Sequence, residues 1–597
     1  MKYKLLTNEW KENYDDTLKH ILLNRGIEPK DIKHYLNTTD KDINDFLLLG
    51  ENQLKTAVSI LISTIREKQD AIVIIDADCD GFTSSALLIN YLYDLFPSWV
   101  ENNLSWFIHE GKQHGLSDCC QKIIDENYSL VLVPDAGSNN YEEHKKLKEA
   151  GINTIILDHH EVLDISKDAI IINNQLSNYP NKKLSGVGIV WQFCRFIDEL
   201  LKTDYANDYL DLVALGNTAD VMSLKEIETK HLINKGFKKE NIKNPFIYYM
   251  WQKNKFKLGE EITSWGAAFY IAPFVNAMVR SGTEKEKELL FESMLNFKAF
   301  NKVLSNKRGH LLGEMETIVE QSIRTCTNVK NRQSKAEKEG LDFLEKKIEK
   351  YNLLEHKILL FIVEKEDINK NIAGLIANKL SNKYQRPCCV LIRVKEDEEI
   401  SYQGSARGYE RGGLSDFKKI CSTAPNVIYA EGHANAFGLG ISGTKEEEFK
   451  GENLYQFIDY IDKSLKDLQN ESIYYVDYIY ENTNVNAQNI LDIADMGHLW
   501  GKDIEEPLIA IERLKITKDM ITLMSPDKMP TLKITLPNKV SIIKFGSSQE
   551  EYCKLYSEGY TTINLVGRCN KNEWNGNITP QIFIEDYEIV DSKAYYF

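Results

Sequence analysis

Short unbroken apolar runs punctuate the middle of this chain, and between them lie stretches with helical periodicity. Residues 71–75, 129–133, 154–157 and 169–172 read as strands. Residues 83–95, 141–150 and 187–201 carry apolar side chains at helical spacing. Continuous apolar strands alternating with helices predict a mostly parallel α/β sheet. Ligands of such sheets bind beyond the carboxyl ends of the strands.

Either side of this block the pattern changes. Residues 1–70 read as helical. The apolar run 21–23 leads into Asn24-Arg25-Gly26, where Gly26 ends the helix with Arg25 in its last turn, and 53–67 repeats apolar positions at helical spacing. Residues 226–350 also read as helical, and the Lys- and Glu-rich stretch 333–350 predicts a solvated helix bridging two domains. A second α/β unit is expected from about 355, with strands at 359–363 and 388–392 flanking a helix at 372–384. Beyond 500, short strands at 508–514, 520–523, 531–536, 540–545, 561–565 and 581–584 predict a small β-barrel. The expected organisation is a helical segment (1–70), a parallel-sheet catalytic domain (71–225), a helical connector (226–350), a second α/β domain (351–470) and a barrel (471–597).

Composition adds limits. A chain of 597 residues is too long for one core, and its 43% hydrophobic and 27% charged content is that of a soluble globular protein. No apolar run reaches the roughly 18 residues of a membrane span, and residues 1–9 lack the apolar core of a secretion signal. The ten cysteines show no disulfide-framework or C-x-x-C spacing, so a reduced cytoplasm is expected and structural zinc is not. A net charge of −16 and a pI near 5.4 argue against a protein that coats duplex nucleic acid. They leave room for a nuclease, because metal-binding carboxylates are neutralised by their ions.

The candidate chemistry gathers where the apolar runs end. Asp76, Asp78 and Asp80 follow the first run, Asp135 the second and Asp158-His159-His160 the third, while Asp220 follows an apolar stretch at 212–215. A carboxylate at the end of a buried strand is costly unless its charge is compensated. If the segment after residue 75 is extended, Asp76, Asp78 and Asp80 share one face and repel one another unless cations intervene. Carboxylate with imidazole suits Mn²⁺, or Mg²⁺ where oxygen dominates. Two such ions form a standard device for attack on phosphate esters. Asp158 is placed to orient or charge the ring of His160. Gly438-x-Gly440-x-x-Gly443 has the letters of a dinucleotide fingerprint without the strand before it or the helix after it, and is set aside.

Taken together, segments 76–84, 133–137, 158–160, 184–190 and 211–224 resemble the DHH phosphoesterase superfamily, and more closely its RecJ-type single-stranded-DNA exonucleases. The stretch 271–280, ending in Asn276-Ala277-Met278-Val279-Arg280, is similar to a RecJ segment. Segments 372–387, 405–407 and 432–438 resemble the DHH-associated domain, and 572–581, with Trp574, the end of the RecJ oligonucleotide-binding barrel. The resemblance implies a parallel-sheet DHH catalytic domain, a helical connector, an α/β DHH-associated domain and a C-terminal OB-like β-barrel. It implies two Mn²⁺ or Mg²⁺ ions, bridged by Asp135 and completed by Asp76, Asp78, Asp80, His159 and Asp220. His160 would face the scissile phosphate, while Arg280, Arg407 and His433 would hold phosphates, with Asn276, Ser405, His114 and Trp574 also on the substrate. The implied activity is 5′→3′ degradation of single-stranded DNA to mononucleotides by a monomer, with a single-strand-binding protein or helicase as partner. Turnover of short oligonucleotides or cyclic dinucleotides, and a degenerate single-strand-binding scaffold, are the alternatives.

Three places depart from the family pattern. Ile74 stands where a histidine often precedes the first aspartate, so one ion is expected to bind more weakly or through other ligands. Glu431-Gly432-His433 replaces Gly-Gly-His. His109-Glu110-Gly111-Lys112-Gln113-His114-Gly115-Leu116 replaces an Arg-containing stretch ending in Gly-Tyr-Gly-Leu, which predicts altered recognition of the 5′ end.

Overall fold

The structure is a computed structural model. It describes residues 1–597 apart from 8–15, 112, 397–398, 410–412, 444–450, 469–472, 526–528, 557–558, 575 and 594–597. The chain forms two compact units, one of Ile27–Gln333 with Gly497–Glu505, the other of Met1–Gly26, Ser334–Met496 and Glu506–Phe597.

The first unit is built on a five-stranded sheet in the order Leu104–Ile108, Ala71–Ile75, Leu130–Pro134, Asn153–Asp158, Ile170–Asn173. All its ladders are parallel. Every residue of Ala71–Ile75 and Leu130–Pro134 is buried, which is why these strands read as unbroken apolar runs. The edge strand Leu104–Ile108 was not expected, because four of its five residues are only partly buried or exposed and its apolar run is short. Val73 pairs with Leu132, and Pro134 with Leu157. Asp76 and Asp135, one step past their strands, therefore stand at one height with Asp158, the last residue of its strand, on adjacent strands.

The helix after the first strand starts earlier than its apolar periodicity suggests, at Cys79 rather than residue 83, and runs to Leu95. Asp78 is its N-cap, accepting from the Gly81 N–H at 3.0 Å, and Asp80 lies in the first turn. The three aspartates thus do not line an extended face. A helix N-terminus favours carboxylates in its cap and first turn, and this preference wins over extension.

The second unit contains a five-stranded sheet in the order Val427–His433, Ala436–Ser442, Glu399–Arg407, Cys388–Glu396, Leu359–Val363. Only its last pair is parallel. Cys388 packs into one core with Leu344, Ile348 and Ile376, and Cys389 into another with Phe417, Phe437 and Phe457. The adjacent cysteines simply face opposite sides of a strand. Leu344 and Ile348 belong to the 34-residue helix Ile318–Tyr351. The Lys- and Glu-rich stretch is therefore not merely a solvated bridge, since a narrow apolar stripe along it covers this sheet. Gly438 and Gly440 lie inside the strand Ala436–Ser442, which removes the dinucleotide fingerprint.

The C-terminal strands form a seven-stranded sheet, in which those expected at 561–565 and 581–584 are the long paired strands Tyr560–Trp574 and Asn577–Lys593, and the edge strand Tyr478–Glu481 was not expected. Its order is Tyr478–Glu481, Leu508–Ile516, Tyr560–Trp574, Asn577–Lys593, Ser541–Phe545, Thr531–Thr535, Ile521–Met524. The N-terminal segment is not helical throughout. Lys2–Leu5 is a strand that pairs in parallel with Ile473–Val476. The helix Thr17–Asn24 ends before Gly26, which has a φ of 79°, with Arg25 as its C-cap rather than in its last turn, and Arg25 makes a buried two-pronged bond to Asp477 at 2.8 and 2.9 Å. Among the described residues no helix is long and apolar enough to cross a membrane.

Candidate metal centre

Each acidic residue at the sheet edge is held by a different local device. Asp80 accepts the Gly186 N–H at 2.7 Å, with the Val187 N–H and the Ser185 hydroxyl each at 3.2 Å. It thus meets the N-terminus of the helix Gly186–Leu201, where free N–H groups favour an anion. Asp220 is the C-cap of the helix Leu210–Ala219. Asp135 has a φ of 67°, and Val221, next to Asp220, a φ of 57°. For a β-branched residue that is a strained backbone of the kind that collects at functional sites. The closeness also needs glycine. A Cβ on Gly186 would lie 2.2 Å from Asp135 Oδ1, and one on Gly216 2.3 Å from Asp80 Oδ1.

Ligand atoms of three sets converge: Asp76 with Asp78 and Asp135, Asp80 with His159 and Asp220, and Asp135 with His159 and His160. Within each set they lie inside 4.8 Å of one another. His159 Nε2 is 3.2 Å from Asp135 Oδ1, 3.5 Å from Asp220 Oδ2 and 4.0 Å from Asp80 Oδ2. Asp135 Oδ1 and Asp76 Oδ1 are buried without a hydrogen bond. Buried carboxylate oxygens without a donor, faced by imidazole, fit hard divalent cations.

The electrostatics agree. Burial, then the charge of Asp78, pushes the Asp80 carboxyl up to about 7. Burial, then Asp80, pushes Asp220 up to about 8. Burial and the neighbouring carboxylates raise Asp135 well above the carboxylate range. Without cations the cluster holds protons instead, so divalent ions would displace protons on binding.

Asp158 does not face this cluster as a ligand. It accepts the backbone N–H of His159 at 2.7 Å, that of His160 at 3.1 Å, and His160 Nδ1 at 2.8 Å, while Ser138 N–H donates to its other oxygen. Burial alone would raise it, but these partners hold it well below the usual range. Burial likewise disfavours His160 as a cation, yet the Asp158 bond prevails and raises it to about 10.

His114 was expected at the substrate. Its Nδ1 lies 2.7 Å from Asp76 Oδ2, and this bond raises the imidazole above its ordinary value. Ile74 is buried with Val131, Val133 and Leu116 in the core beneath the sheet. His114 reaches Asp76 from 38 residues along the chain, on another segment. Arg280, in the last turn of the helix Ala272–Ser281, is near enough to Asp78 to feel its charge and has no hydrogen bond or ion pair among the described contacts. Asn276 lies one turn earlier on the same helix.

Ser405, Arg407 and His433 belong to the other unit. There Ala436 pairs with Arg407 on one side and His433 on the other, so both residues sit at one end of that sheet. The Ser405 hydroxyl and the Arg407 guanidinium both approach Gly374. Trp574 ends the strand Tyr560–Trp574, and its side chain lies outside the described residues, as does Lys112 of the 109–116 segment. Sequence reasoning missed the backbone cradle at Ser185-Gly186-Val187. Segment 184–190 was singled out for its family likeness, but nothing in its serine and two glycines assigned its backbone amides to Asp80.

A parallel sheet with buried carboxylates and imidazoles converging at its carboxyl edge defines a divalent-metal phosphoesterase centre. Residues 70–217 match the DHH family, N-terminal domain, and residues 476–586 match the RecJ OB domain. YorK, an SPbeta prophage-derived protein of Bacillus subtilis named as a single-strand DNA-specific exonuclease, is 33% identical over 99% of each chain. The single-stranded-DNA-specific exonuclease RecJ of Bacillus subtilis is 24% identical over 96% of this chain and 68% of its own. The fold also matches the crystal structure of Thermus thermophilus RecJ in complex with Mn²⁺, with a TM-score of 0.69 at 16% identity over 99% of this chain and 80% of that one. The chain belongs to the RecJ family of DHH phosphoesterases.

Proposed function

We propose that this protein is a two-metal exonuclease that hydrolyses single-stranded DNA from the 5′ end to mononucleotides. One observation carries the metal assignment: Asp135, its Oδ1 buried without a donor, belongs to two of the three ligand sets. Asp135 would be shared between the ions: Asp76 and Asp78 would hold one with it, and Asp80, His159 and Asp220 would hold the other, with His159 placed 3.2 Å from Asp135 Oδ1. Mn²⁺ or Mg²⁺ bound there would activate water and neutralise charge on the attacking and leaving oxygens. The names of the relatives support single-stranded DNA as the substrate.

The chain's own groups do the rest. Asp158 fixes the His160 ring through Nδ1 and keeps it protonated at neutral pH, leaving its Nε2 to donate to a phosphate oxygen. Arg280, with Asn276 beside it, offers a guanidinium fork to the next phosphate. Ser405, Arg407, His433 and Trp574 complete the strand contacts in this reading, in the cytoplasm and as a monomer working with a single-strand-binding protein or helicase. The cysteines without disulfide spacing support that compartment.

The test is degradation of a 3′-labelled strand with Mn²⁺, comparing free and blocked 5′ ends. Asp135→Ala is expected to cut the rate about a hundred- to a thousandfold, roughly what losing a charge-stabilising group costs, while the protein stays folded. An intact strand under every condition, with turnover of dinucleotides instead, would favour the short-substrate alternative.

A further inference from the structure

The helix Ser264–Tyr270 lies beside the residues just described but takes no part in that reading. It buries Ser264, Gly266 and Ala267. Its other face carries Trp265 and Phe269, 41% and 57% exposed. These residues are four apart, so they share one face, and their ring centroids are 4.7 Å apart at 33°. Tyr270 extends the group, 5.9 Å from Trp265, with Lys257 Nζ 5.1 Å from its centroid. Phe256, in the preceding turn Lys255–Leu258, is fully exposed.

Packing does not account for this face. The core beneath it is already filled by Leu258, Ile262 and Ala267. Leaving several large rings partly in water forgoes hydrophobic burial, and clustered exposed aromatics mark a binding surface. The helix packs against Leu210–Ala219, which Asp220 caps, and against Ala272–Ser281, which carries Asn276 and Arg280. The aromatic face therefore stands on the two elements that supply a metal ligand and a phosphate-binding arginine.

We infer that Trp265 and Phe269, with Tyr270 and Lys257 at their border, form a stacking platform for bases of the single strand entering the metal centre. This rests on the single-strand reading above. Every base has a π-face, so such a platform binds without sequence preference, and a border lysine suits the phosphates between bases. Lys255 is less available, since it pairs with Glu260 at 2.9 Å.

The test uses the full chain carrying Asp135→Ala, so that the strand survives. Affinity is read by fluorescence anisotropy for a labelled oligothymidylate and for an abasic strand of equal length and charge. Adding Trp265→Ala and Phe269→Ala is expected to weaken oligothymidylate binding roughly tenfold or more, the loss of about one stacked base. Binding of the abasic strand should not change, and Trp265→Phe should keep most of the affinity. Unaltered oligothymidylate binding in the double variant overturns the platform, as does an equal loss on the abasic strand. If the parent fails to bind any single strand, the single-strand reading falls and the platform with it. Parent binding together with an unaffected double variant removes the platform alone.

Discussion

Asp76 is held by a residue that no local pattern points to. His114 bonds it at 2.7 Å across a separation of 38 residues, and an imidazole that orients a ligating carboxylate is worth about 10–100-fold in metal affinity. His114→Ala is therefore expected to weaken Mn²⁺ binding about tenfold by titration calorimetry. An unchanged affinity would leave His114 to the substrate alone. The carboxylates themselves set a pH dependence. Asp80 and Asp220 titrate near 7 and 8 in the folded chain, against an ordinary value of 3.8. The folded state holds these protons more tightly, so their contribution to stability is full below about pH 4 and lost as pH rises through 7 to 8. Metal-free protein should melt at a lower temperature at pH 8.5 than at pH 6, and Mn²⁺ should restore it at the higher pH, because the ions bind the deprotonated groups. A metal-free melting temperature that does not fall over that range would contradict the assigned burial.

At the scale of elements, the apolar runs reported their own strands well. Ala71–Ile75 lies where its run places it, because a strand buried on both faces needs apolar residues throughout; Leu359–Val363 does so too, with its second and fourth residues only partly buried. Helix starts were less legible. Apolar spacing locates the buried face of Cys79–Leu95 but not its first turn, which is made by Asp78 and Asp80. The Gly186–Leu201 helix shows the same limit, since its N-terminal glycine matters for what lies opposite. Gly186→Ala would put a methyl 2.2 Å from Asp135 Oδ1. It is expected to cost about 1–3 kcal/mol through overpacking and to lower Mn²⁺ affinity. Denaturant melts and metal titration check both, and a variant indistinguishable in each would show that the edge can relax.

Across the whole molecule, the termini and the distant segments decide what local reading cannot. Arg25 was legible as the end of a helix but not as the partner of Asp477, 452 residues away. The pair is almost wholly buried, with side chains 6% and 0% exposed, and removing one partner leaves an uncompensated charge. Arg25→Ala is expected to destabilise the unit that holds the pair by about 3–5 kcal/mol, seen as an earlier transition in calorimetry. Coincident wild-type and variant transitions would contradict that.

The sequence by itself determined the alternation of strands and helices, the acidic and histidine residues that converge at the sheet edge, and the likeness that places the chain in its family. These depend on residue type and short-range period, which a linear string carries. Only the tertiary structure decided that Asp135 is shared between ligand sets and that His114 bonds Asp76. It also decided that Asp158 serves His160 rather than the cluster. Those assignments depend on register between strands and on backbone amides brought in from far along the chain. Burial then turns such approaches into large electrostatic effects, because a charge removed from water is stabilised only by what folding places beside it.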